Sequence, residues 1–186
     1  MFIFLGKVWN AISGEELHSF QHNHIVKSVA FDSQSQYLVT GSNEKLIRVF
    51  DLNQPNDSPE IFKGHTGSIK RALFCRNDQY LISCAEDKSI RVWDRRSGGQ
   101  EVQRLDFPVN PNSIEMSRDE SVLTVTHGSS VAFFETETLK KLKEITLPTR
   151  VSAASLHPDK TMFVCGGEDF KMYKYDYITG NEIGEL

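Results

Sequence analysis

Three residue types capable of covalent chemistry stand in one stretch of the chain: His65, Ser83 and Asp87. A serine hydrolase uses such a set, the carboxylate orienting the imidazole and the imidazole taking the hydroxyl proton. That chemistry also needs an exposed nucleophile on a strained turn, and no G-x-S-x-G word occurs in the sequence. No catalytic residue is therefore expected. His22 and His24 alternate along an extended segment and would share one face, as two metal ligands do. Neither a carboxylate nor a cysteine pair adjoins them, so no metal site is expected. Cys75, Cys84 and Cys165 form no CxxC pair and are odd in number, which reads as reduced, buried thiols of a cytosolic or nuclear protein. The Gly98-Gly99 and Gly166-Gly167 pairs belong to no dinucleotide or P-loop fingerprint, so no cofactor is expected. Lys140, Lys141 and Lys143 form a small basic cluster, more suited to guarding a sheet edge than to holding RNA. A formal charge of −4 also argues against a dominant nucleic-acid binder. The Asn56-Asp57-Ser58 sequon is followed by Pro59 and is not read as glycosylated.

The elements that must position these residues follow from a repeat. Lys7–Asn10, Ile47–Asp51, Ile90–Asp94, Val131–Glu135 and Met172–Asp176 rhyme, each an aromatic followed by a polar, mostly acidic residue. The aromatics fall at 9, 50, 93, 134 and 175, spaced by 41, 43, 41 and 41. Each interval divides into short β-type runs between polar turns. In the best-defined one, runs at 68–74, 79–84, 90–93 and 101–105 flank Arg76-Asn77-Asp78, Glu86-Asp87-Lys88 and Arg95–Gly99. Helical periodicity is absent. Runs such as Tyr37-Leu38-Val39 are apolar on consecutive residues, so both sheet faces must be covered, as in stacked four-stranded meanders. The Met1–Leu5 opening is too short for a signal peptide and no stretch is long enough to span a bilayer, so a soluble, non-secreted chain is expected.

Gly64-His65…Trp93-Asp94 is the complete form of a word that resembles WD40 repeats, whose period is ~40–45 residues. The resemblance covers almost the whole chain and implies an all-β propeller. The count is about four and a half four-stranded blades, opening on fragments at 6–9 and 15–20 and closing on a run at 182–186. This is a single segment over 1–186, incomplete relative to a seven-bladed ring, and the 7–9 edge would invite self-association. The family pattern implies a structural hydrogen-bonded tetrad on His65, Ser83, Asp87 and Trp93. It implies a partial one on His22, Thr40 and Glu44, where Phe50 replaces the tryptophan, and on Asp169, where Leu147 and Cys165 replace the histidine and hydroxyl. The 109–135 repeat is one residue short, with Gly128 at the acidic position.

Three longer words go beyond generic spacing: 22–29, 46–53 and 166–177. They resemble one branch of the WD40 family, which implies a scaffold in the survival-motor-neuron complex and a negative adaptor in TGF-β receptor signalling. Protein partners, no membrane, and a cytoplasmic and nuclear location follow as expectations. The alternatives are the WD-repeat subunit of translation initiation factor three and, from another class, an RNA-binding module. Partner contact is expected where inner strands begin and turn acids sit, at Lys27, Lys70, Asn110, Arg150 and Ser152, and at Asn43, Glu86 and Glu168.

Overall fold

The computed structural model describes residues 4–185; Met1, Phe2 and Ile3 of the expected leader-like opening, and Leu186 of the last expected run, lie outside them. Among the described residues the chain is all β, with eighteen strands and no helix. A two-stranded sheet, β1 (Phe4–Trp9) with β2 (Glu16–His22), comes first. Four antiparallel four-stranded meanders follow. They are β3 (Val26–Phe31), β4 (Tyr37–Ser42), β5 (Leu46–Asp51) and β6 (Glu60–Lys63); then β7 (Ile69–Cys75), β8 (Tyr80–Ala85), β9 (Ser89–Asp94) and β10 (Gln100–Asp106). The third is β11 (Pro111–Met116), β12 (Val122–His127), β13 (Ser130–Glu135) and β14 (Lys141–Thr146). The fourth is β15 (Val151–Leu156), β16 (Met162–Gly167), β17 (Met172–Asp176) and β18 (Glu182–Glu185). This is the architecture of an incomplete propeller of four and a half blades.

Strand limits differ from the sequence expectation by about one residue. Ser68 belongs to the turn, because its carbonyl accepts the Glu86 N–H at 2.9 Å, and the Gln79 carbonyl likewise accepts the Arg95 N–H at 3.1 Å. Tight turns between strands take positive φ at non-glycine residues, among them Lys45 (64°) and Lys88 (64°) directly after the turn acids.

The chain forms two compact units, residues 1–104 and 105–186. In the first, β7 packs against β3, β4 and β5, and Val39, Val49, Phe62, Ile69, Phe74, Leu81 and Trp93 make one core. A smaller cluster of Val8, Phe20, Leu38 and Phe50 seats the two-stranded sheet on its neighbour. In the second unit β15 packs against β11, β12 and β13 over a core of Val131, Phe133, Phe163 and Tyr175. Central strands such as β8 and β12 are buried almost end to end, the consequence of covering both sheet faces that their consecutive apolar residues require. Arg95 fastens two sheets of the first unit. Its guanidinium lies 4.5 Å from the Tyr37 ring centroid and 5.3 Å from that of Phe74, and donates to Glu60 at 2.8 Å and to the Asp78 carbonyl at 3.0 Å.

Candidate functional site

Ser83 is fully buried, and its contacts fix its role. The Trp93 indole N–H donates to Ser83 Oγ at 2.9 Å, Ser83 Oγ–H donates to His65 Nε2 at 2.8 Å, and His65 Nδ1–H donates to Asp87 Oδ2 at 2.8 Å. The same Asp87 oxygen accepts the Thr66 N–H at 2.9 Å, and Ser89 Oγ donates to the other oxygen at 2.7 Å. Burial lowers the His65 pKa and the Asp87 hydrogen bond only partly offsets it, so the ring is neutral and one nitrogen accepts. Burial alone would raise the Asp87 carboxyl, yet donation from Ser89, His65 and Thr66 holds it at about 2. The chain of donors joins β8, β9, the turn between them and the entering loop. It pins register; it does not present a nucleophile.

The other tetrads are reduced, each in its own way. Around the β3–β6 sheet His22, at the end of β2, and Thr40 and Glu44 stand at equivalent positions but are not joined in series. Arg48 enters instead, donating to both Glu44 oxygens at 2.8 and 2.6 Å and lying 2.9 Å from His22 Nδ1. Thr40 Oγ1 turns to the Arg48 carbonyl at 3.4 Å, and His22 Nε2 is buried without a partner. Phe50 stacks on Phe20 at 4.3 Å where an indole would have donated. In the last sheet Asp169 accepts from Tyr173 at 2.6 Å and Thr149 at 3.3 Å. In the third sheet Phe107 fills the histidine position and meets Phe134 edge-on at 5.9 Å.

Arginines 48 and 91 are the latch members that sequence reasoning missed. Arg91 donates to Glu101 at 2.6 Å, to Ser89 at 3.1 Å and to Asp87 at 3.4 Å. The signal was present, since the word Ile-Arg-Val followed by an aromatic and Asp occurs at both 47–51 and 90–94.

The proposed partner-face residues sit on a recurring device. Register shifts by one residue between Val26 and Ser28, Ile69 and Arg71, Pro111 and Ser113, and Val151 and Ala153. Lys27, Lys70, Asn112 and Ser152 are therefore the bulged residues of the four inner strands, and a bulge re-aims its side chain. Asn110 and Arg150 instead precede their strands, so the expected set mixes two registers and leaves out Asn112, which donates to the Val151 carbonyl at 2.7 Å. The repeat shorter by one residue hid that alignment. In the first unit Lys27 pairs with Glu86 of the next sheet at 2.9 Å, and Asn43 Oδ1 is buried with no donor. In the second unit Arg150 and Glu168 lie 3.8 Å apart, 73% and 67% exposed.

Other candidates resolve locally. His24 stacks on Phe4 at 5.7 Å while His22 turns to Arg48, so the two do not converge. Lys141 pairs with Glu144 at 2.8 Å, and Lys143 caps the Tyr177 and Ile178 carbonyls at 2.7 and 2.6 Å. Cys75, Cys84 and Cys165 are buried thiols outside any disulfide, and burial pushes the Cys84 thiol up to about 12.

The family described as "WD domain, G-beta repeat" matches this chain at residues 14–51 and 57–94, the first spanning the reduced latch and the second the complete one. These two stretches are WD40 repeats. It is similar to the serine-threonine kinase receptor-associated protein of Gallus gallus, 46% identical over 180 residues, which is 97% of this chain and 51% of that protein. The Homo sapiens protein of that name is 44% identical over the same length and shares, and the Dictyostelium discoideum one 41% identical over 177 residues, 95% of this chain and 60% of the relative. The chain spans about half the length of the curated vertebrate relatives it matches.

Proposed function

We propose that the chain acts as a non-enzymatic scaffold within the survival-motor-neuron complex, in spliceosomal ribonucleoprotein assembly, and as a negative adaptor of TGF-β receptor signalling. The observation that carries this reading is identity of 41–46% across nearly the whole chain to proteins named for association with a receptor serine-threonine kinase. A cytoplasmic and nuclear location accords with it. The contact residues are proposed to be Lys27, Asn43, Lys70 and Glu86 in the first unit, and Asn110, Arg150, Ser152 and Glu168 in the second. Mixed charge at short range, with Lys27 beside Glu86 and Arg150 beside Glu168, suits a polypeptide better than a polyphosphate. Self-association through β1 would compete with partner binding.

Affinity capture from cell extract tests the proposal. Co-elution of survival-motor-neuron components or receptor-signalling components is expected; absence of both, with the bait folded, would overturn it.

A further inference from the structure

We propose that a cleft in the second unit, over β13, receives an arginine side chain presented by a partner polypeptide. The register identifies what is missing there. Arg48 pairs with Thr40, Arg91 with Ser83 and Tyr173 with Cys165, at equivalent points of three sheets. In each case the side chain donates to the turn carboxylate of its own sheet, Glu44, Asp87 or Asp169. In the third sheet the residue at that point is Ala132, paired with Val125, and the turn acid is replaced by Gly128. At that point the third sheet carries only a methyl group. The structure holds a cleft of about 370 Å³ whose lining includes Glu144, the strand partner of Ala132, together with Phe107, Phe134 and Leu139.

The lining retains the means to hold the absent group. Glu144 on the outer strand stands directly opposite Ala132, as Glu101 on the outer strand of the preceding sheet receives the Arg91 guanidinium. Asp106 lines the cleft where the preceding sheet has Gly64, just before the Phe107 or His65 position. A Cβ on Gly64 would approach Trp93 to 2.9 Å and the Arg91 guanidinium to 3.0 Å; with Phe134 and Ala132 in their places the acidic side chain fits. So an extra carboxylate, at the end of β10, lines the cleft of the sheet that lost its own arginine. Among the described residues lining the cleft the basic side chain besides His127 is Lys141, 56% exposed and paired with Glu144 at 2.8 Å. His127 lies 3.2 Å from Glu144, and burial lowers its pKa, so it adds no opposing charge near neutrality. A planar guanidinium can stack on the two rings and share its fork between carboxylates, which an ammonium does less well.

The proposal draws on the scaffold reading only for the source of the arginine; the cleft itself is tested with a free peptide. Acetyl-Gly-Gly-Arg-Gly-Gly-amide, titrated into the 15N-labelled chain, should shift amide resonances of residues 105–107, 127 and 141–144. The citrulline analogue, and Glu144→Gln with the original peptide, should each bind roughly tenfold more weakly or worse. Ala132→Arg should abolish binding, the new side chain filling the cleft from within. Equal binding of the arginine and citrulline peptides, undiminished binding by Glu144→Gln, or shifts confined to other residues would overturn it. Should Ala132→Arg fail to fold, the Glu144→Gln titration decides alone.

Discussion

Replacing Ser83 by alanine isolates the hydrogen-bonded part of the latch from its packing. The substitution leaves backbone and volume nearly unchanged but strips one acceptor from the Trp93 indole N–H and one donor from His65 Nε2. Both atoms lie among residues with 6% exposure or less, so water does not replace the lost partner. A buried polar group left unsatisfied costs about 1–3 kcal/mol, which puts Ser83→Ala at roughly 2–4 kcal/mol. The chain has two tryptophans, Trp9 at 53% exposure and Trp93 at 1%, so the change in indole emission on unfolding comes mainly from the latch itself. Urea titration followed by that emission should move its midpoint down by about 1–2 M, at a slope of about 2 kcal/mol per M. Far-UV circular dichroism in parallel would show whether the 105–186 unit keeps its own transition. A midpoint unchanged by Ser83→Ala would refute the latch and leave aromatic packing as the sole determinant of register.

Trp93→Ala should cost more, roughly 3–5 kcal/mol, because it adds a core cavity to the lost donor; a thermal melt matching wild type would contradict that. Arg95→Ala should cost about 2 kcal/mol in the same urea assay, with Arg95→Lys recovering less than half, since only the planar guanidinium stacks on Tyr37 and Phe74. Stability should fall as pH drops below 6.5. His22, His65 and His127 all have folded-state pKa values below the model-peptide 6.5, so the unfolded chain binds protons first. A second decline is expected between about pH 4.5 and 2, as Glu44 and Asp87, each held at about 2, are protonated. A melting temperature constant from pH 7.5 to 5 would be inconsistent with the three buried neutral histidines.

The meanders were legible because evenly spaced aromatics mark every repeat and an Asp87-type turn acid stands before the third strand in three of the four sheets. The complete tetrad was legible for the same reason, its four residue types each standing where a buried donor needs an acceptor. The reduced latch was not. Its Arg48 occupies an alternating strand position that reads as solvent-facing in a sheet covered on one side, and only burial of both faces brings the guanidinium against His22. The bulges were equally hidden, because an extra residue in an inner strand leaves no composition signal. They appear only as a register slip at Lys27, Lys70, Asn112 and Ser152. The cleft over β13 has a weak trace in the sequence, the coincidence of Ala132 with Gly128, which gains meaning once the other three sheets show what fills that point.

The central claim is that the loop-side surface of these meanders, rather than any reacting group, does the chain's work. Capture of partners by the Lys27→Glu, Lys70→Glu, Arg150→Glu chain beside wild type tests it most directly, with thermal melts of both baits as control. Loss of the wild-type partners at an unchanged melting temperature is the expected result; recovery of every partner at wild-type yield would contradict the account.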